Sequence, residues 1–156
     1  MPTGLKYEGT GIIKLVKCKH WRSLGLKQRY AASAFLKANE NLAEVLTDHK
    51  LAALGDSYVN FAFSLSASIR KRKPSGVKVK GSLLAEALRK AGLREYLPSR
   101  MTKHMLADAA EALIVYGWLS NCITLEESVS LMGKTEDPVE GLSSLLLTIK
   151  NRITLP

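Results

Sequence analysis

Apolar residues recur at helical spacing through most of this chain. Ser23 has the character of an N-cap, and Leu26, Tyr30, Ala34 and Leu36 behind it predict a helix that breaks near Asn39–Asn41. Thr47 or Asp48 opens a second, longer helix holding Leu51, Leu54, Val59, Phe61, Phe63 and Leu65. That helix is apolar around most of its circumference, which predicts a central, buried position. The stretch GSLLAEALRKAGL resumes the pattern with Leu83, Leu84, Leu88 and Leu93, with Ser82 as its expected cap, and Pro98 closes the connection that follows. Residues 101–120 predict a long amphipathic helix with Met101, Met105, Leu106, Leu113, Ile114, Val115 and Trp118. Thr124 and Glu127 have capping-box spacing for a short helix through Leu131, stopped by Gly133. Asp137-Pro138 then begins a last helix carrying Leu145, Leu146 and Ile149, with proline at its first position. The fold class is all-α.

Two segments break this pattern, and both are basic. Residues 1–22 mix Pro2, Gly4, Gly9 and Gly11 with Ile12-Ile13 and Leu15-Val16, fit a short strand or helix equally, and carry Lys6, Lys14, Lys17, Lys19 and Arg22. Residues 70–80, RKRKPSGVKVK, hold Arg70, Lys71, Arg72, Lys73, Lys78 and Lys80 with no acid, around a Pro-Ser-Gly loop. A solvated turn and a phosphate-contacting loop both fit that stretch. The net charge of +9 over 156 residues favours the second, because such an excess seeks polyanions such as nucleic acid.

Length and pattern predict one domain over 1–156, with residues 1–22 as a basic arm and 137–156 as a C-terminal extension. No internal repeat or dividing linker is apparent. No apolar run approaches the length of a membrane span and no signal peptide opens the chain, so membrane residence is not expected and a cytoplasmic site is. Cys18 and Cys122 lie far apart and read as reduced thiols of an intracellular protein; Cys18 with His20 could be half of a zinc site, but its other half is missing. Trp21, Tyr116 and Trp118 read as core or interface residues rather than base-stacking ones.

Candidate chemistry lies with three acids. Asp108 and Glu111, three apart on a predicted helix, share a face and are flanked by Ala107, Ala109, Ala110 and Ala112. Small residues leave room for a close neighbour. Gly55, inside the run LAALGD, suggests which: without a Cβ it admits another backbone, and it is followed by Asp56. Three carboxylates brought together raise one another's pKa unless a cation neutralises them, and hard oxygens suit Mg²⁺ or Mn²⁺. A solvated acidic face, or a buried acid paired with Lys or Arg, fits the same spacing. Of the histidines, His104 lies four residues before Asp108, where an ion pair is the simplest role.

Taken as an ordered pair, DHKLAALGDSYVNF (48–61) and LADAAEALIVYGWL (106–119) resemble the ribonuclease III endonuclease domain, with its ERLEFLGDAV helix and its later D-x-x-E-A helix. The resemblance covers residues from about 25 to about 120 and is similar to the small, standalone members of that family. It implies an all-helical homodimer with Mg²⁺ sites, cutting both strands of double-stranded RNA held in the cleft between subunits and leaving short 3′ overhangs. Asp56, Asp108 and Glu111 match the family's metal-site acids; Glu111 would hold the metal, with Asp56 and Asp108 positioning it and water. The basic arm and residues 70–80 would then supply affinity for duplex or structured RNA.

Departures from the family pattern are specific. The glutamate four residues before the signature aspartate falls on Ala52, the earlier one on His49, and the phenylalanine that helps close the dimer on Ala53. Asp48 lies two helical turns before Asp56 and could swing toward the site, although as an N-cap it would already be committed. The favoured reading is a metal-dependent endoribonuclease acting by phosphodiester hydrolysis. Its alternative is a catalytically weakened ribonuclease III fold that binds RNA or serves a ribonucleoprotein, and a third is a basic helical interaction module.

Overall fold

Local cap chemistry accounts for most of the helix starts. A computed structural model describes Leu36, residues 41–153 and Leu155, all within a unit spanning Leu36–Pro156. The basic arm, the helix behind Ser23, Cys18, His20 and Trp21 lie outside the described residues. Asn41 accepts from the Glu44 amide and opens α1, Leu42–Leu46, a short helix not foreseen in the sequence. Asp48 accepts from the amides of Lys50 and Leu51 and opens α2, His49–Lys71. Arg72, in the left-handed region at φ 53°, ends it.

The remaining elements are α3, Gly81–Lys90; a 3-10 turn, Arg94–Tyr96; α4, Lys103–Leu119; α5, Leu125–Gly133; and α6, Pro138–Arg152. The residue at the N-cap of α3 is Lys80, without a side-chain bond, and not Ser82, which falls inside the first turn. Gly92, at φ 69°, turns the chain out of α3, so Leu93 is buried beyond the helix rather than within it. Thr124 and Glu127 form the full capping box expected of them, and Asp137 caps α6 ahead of Pro138. Among the described residues there is no strand, and the fold is all-α.

The central helix is α4, not α2. It packs against α1, α2, α3 and α6, and its residues from Leu106 to Val115 are buried except Asp108. The amphipathic helix expected over 101–120 is therefore shorter and buried on nearly every side. Its alanines bring neighbouring axes close, and each buried Leu or Ile such as Leu113 and Ile114 contributes about 1.5–3 kcal/mol. By contrast α2, read as all-round apolar, buries one side and leaves Leu54, Phe61 and Ile69 exposed at 41%, 57% and 63%. Near-uniform hydrophobicity identified a helix with apolar partners, but not that one side would lack them. No helix among the described residues is long and apolar enough to cross a membrane.

Candidate functional site

The crossing of α2 over α4 is set at one residue. Gly55 lies against the backbone of Glu111: a Cβ at position 55 would collide with the Glu111 carbonyl and come within 3.0 Å of Glu111 Cβ. Only glycine allows this approach. It seals Glu111, which is 9% exposed, and brings the next residue of α2, Asp56, to the same place.

The electrostatics follow from that closeness. Desolvation is the largest influence on Glu111, followed by the charges of Asp56 and Asp108 and by a hydrogen-bonding interaction with Asp56; together they push its carboxyl up to about 7. Lys78 pulls the other way but too weakly to offset them. Asp108 is half-buried at the rim, and His104 Nε2 approaches its Oδ1 at 3.9 Å, the contact expected from their spacing. No Lys or Arg among the described residues makes an ion pair with Asp56 or Glu111, so the buried-acid-plus-base reading does not describe them.

Whether these acids suit a cation can be judged from the donor set. Among the described residues no three His, Cys, Asp or Glu side chains stand together as a metal-holding group. The closest pairing is Asp56 with Glu111, and Asp108 adds negative charge from beside them. Mg²⁺ commonly takes one or two carboxylates and keeps several waters, so this oxygen pair fits such an ion. Burial and the neighbouring carboxylates let Glu111 retain its proton to about pH 7, which relieves the repulsion among them.

Ala52 is buried beside this site and lines a recess of about 70 Å³ with Asp48, Met101, Met105 and Asp108. Asp48 lines the same recess, with its Oδ1 accepting the Lys50 and Leu51 amides at 2.9 and 3.1 Å. His49 and Ala53 are exposed.

The six cations of residues 70–80 are all exposed, but they do not form one cluster. Arg70, Lys71, Arg72 and Lys73 gather where α2 ends, roughly 21 Å along the helix from Asp56 at 1.5 Å per residue. Residues 74–80 then run back beside α2 as an extended strap, returning Lys78 and Lys80 toward the acids. Three side chains of α2 hold the strap. Ser68 Oγ accepts from the Ser75 amide (2.9 Å), Ser64 Oγ from the Val77 amide (2.9 Å) and Asn60 Oδ1 from the Val79 amide (2.8 Å).

A family model described as Ribonuclease III matches residues 49–150, well over half of the chain. The chain belongs to the ribonuclease III family. Comparison with curated proteins finds no match. The matched region of this ribonuclease III family member takes in the Gly55–Glu111 crossing, all three acids and the whole strap, and it extends through most of α6. Asn60 had no role in the sequence reading. Its only signal there was a polar series, Asp56, Asn60, Ser64 and Ser68, recurring every four residues along a helix rich in apolar residues.

Proposed function

We propose that the protein is a metal-dependent endoribonuclease that hydrolyses phosphodiester bonds in double-stranded or structured RNA. The observation that carries this reading is the Gly55 crossing, which brings Glu111 and Asp56 together, without an ion-pair partner among the described residues. Burying an acid such as Glu111 beside a second carboxylate is costly unless something of opposite charge completes the site. Membership of the ribonuclease III family supports RNA as the substrate.

Glu111 and Asp56 would hold Mg²⁺ or Mn²⁺, and Asp108 would orient water or add to the field from the rim. Bound there, such an ion supplies charge stabilisation at a phosphoryl oxygen and lowers the pKa of water. Glu111 has its backbone and Cβ held against Gly55, so its side chain starts from a fixed, buried position. Lys78 and Lys80, exposed on the strap, would engage the phosphates nearest the acids. Arg70, Lys71, Arg72 and Lys73 would engage phosphates farther along the duplex, so the substrate is long rather than a single nucleotide.

The exposed apolar side of α2 supports a homodimer, because Leu54, Phe61 and Ile69 recur at about two-turn spacing on a helix that also carries the site. Ala52 favours a second reading, an RNA-binding protein with weakened chemistry, since the acids lining the recess beside it are Asp108 and Asp48, whose Oδ1 already caps α2. Incubation with a long RNA duplex in Mg²⁺, Mn²⁺ or chelator separates the two. The nuclease reading expects metal-dependent cutting that is lost in Glu111→Gln. Binding without cutting in any metal would replace it with the second.

A further inference from the structure

The strap and the helix beneath it are in register for a geometric reason. Asn60, Ser64 and Ser68 are four residues apart, about 6 Å of helix per step, and their partners Val79, Val77 and Ser75 are two residues apart, about 6.6 Å of extended chain per step. Each side chain therefore meets every second amide of the strap. Ser64 and Ser68 also donate to strap carbonyls, those of Val77 (3.0 Å) and Ser75 (3.2 Å), and so bond only the strap and their own helix. Asn60 differs from them. Its Nδ2 donates to Asp56 Oδ1 at 2.9 Å and to the Asp56 carbonyl at 2.8 Å.

The direction of the amide is settled by its partners. A backbone N–H can only donate, so the atom facing Val79 is the oxygen, and the NH2 must face Asp56. With the Val79 amide elsewhere, the side chain would lose the contact that holds it in this sense. We propose that Asn60 is a positioning residue that ties the basic strap to the Asp56 carboxylate, so that the seating of the strap on α2 sets the orientation of that carboxylate for cation binding and RNA cleavage. The proposal rests on the nuclease reading of Asp56. It makes the loop that carries Lys78 and Lys80 part of the support of the acid site as well as a surface for RNA.

The test uses the full chain and two substitutions. Asn60→Ala removes all three of its side-chain bonds, whereas Val79→Pro removes the strap's N–H, exchanging the buried Val79 side chain for a proline ring, and keeps the Asn60 amide. Three quantities are measured: Mn²⁺ affinity by titration without RNA, duplex-RNA affinity in chelator, and single-turnover cleavage at saturating RNA. Both variants are expected to lose about tenfold or more in Mn²⁺ affinity and in cleavage, as outer-shell partners of metal ligands do. Duplex binding stays within about threefold, because no phosphate-binding cation has been removed. Parental Mn²⁺ affinity and cleavage in Asn60→Ala would overturn the proposal. So would a parental Val79→Pro beside a defective Asn60→Ala, since Asn60 would then serve Asp56 without the strap. If Val79→Pro does not fold, Asn60→Ala decides alone. A parent that neither binds Mn²⁺ nor cuts RNA removes the nuclease reading and this inference with it; a parent that does both beside two unchanged variants removes the inference only.

Discussion

Replacing Glu111 by glutamine is expected to stabilise the protein and silence it at once. The folded state holds the Glu111 proton to about pH 7, whereas an unperturbed glutamate releases it near 4.5. Between those values the folded state binds more protons than the unfolded chain, so this group's contribution to stability falls as pH rises through that window. At about 1.4 kcal/mol per pH unit, the gap between 4.5 and about 7 amounts to about 3 kcal/mol lost by pH 8. Glutamine imitates the protonated acid: it is neutral, similar in shape, and keeps an N–H to donate toward Asp56. Urea unfolding in chelator should therefore show Glu111→Gln more stable than the parent by about 2–3 kcal/mol at pH 8, with the difference falling below about 1 kcal/mol at pH 5. Saturating Mn²⁺ at pH 8 should narrow the gap, because only the parent gains from binding it. A glutamine variant no more stable than the parent at pH 8, or equally favoured at pH 5 and 8, would refute the account of Glu111.

Gly55→Ala is expected to cost at least about 3 kcal/mol or prevent folding, because the new Cβ meets backbone rather than a side chain that can swing away; thermal unfolding by circular dichroism measures it. Neutralising Lys78 and Lys80 together should weaken duplex binding and lower the slope of log affinity against log salt by about one per cation removed, whereas an unchanged slope would take the strap off the RNA path. Phe61→Asp combined with Ile69→Glu should convert a dimer to a monomer by light scattering while changing the monomer's own stability by only about 0.5 kcal/mol, since both side chains are exposed; a parent that is already monomeric would discard the dimer.

Which features were legible from sequence depends on how far apart their causes lie along the chain. The caps at Asp48, Thr124 and Asp137 were readable because an N-cap and its partner amides are two or three residues apart. The Gly55 crossing was readable for a different reason: a glycine in an apolar helical run and an acid flanked by alanines are each costly alone and make sense together. The identity of the central helix was not readable, because α2 and α4 are both apolar and only tertiary packing decides which is enclosed. Asn60 was missed because its partners lie four residues back and nineteen ahead, and the second becomes a neighbour only after the strap folds back along α2.

On the proposed nuclease reading, acids that take a cation and bases that take a polyanion must be kept from neutralising each other. Here the separation is structural. The four cations at the end of α2 lie roughly 21 Å from Asp56, beyond the Debye length of about 8 Å at physiological salt. Lys78 comes nearer and lowers the Glu111 pKa, yet makes no ion pair with it among the described residues. The strap explains how both conditions hold. Its alternate amides are hooked by Asn60 and Ser64, so the backbone on either side of Lys78 is tied to α2 while its side chain stays in solvent. If Asn60 has the proposed positioning role, the polar series along α2 serves the site twice, bonding the Asp56 carboxylate and anchoring the strap from which Lys78 reaches solvent.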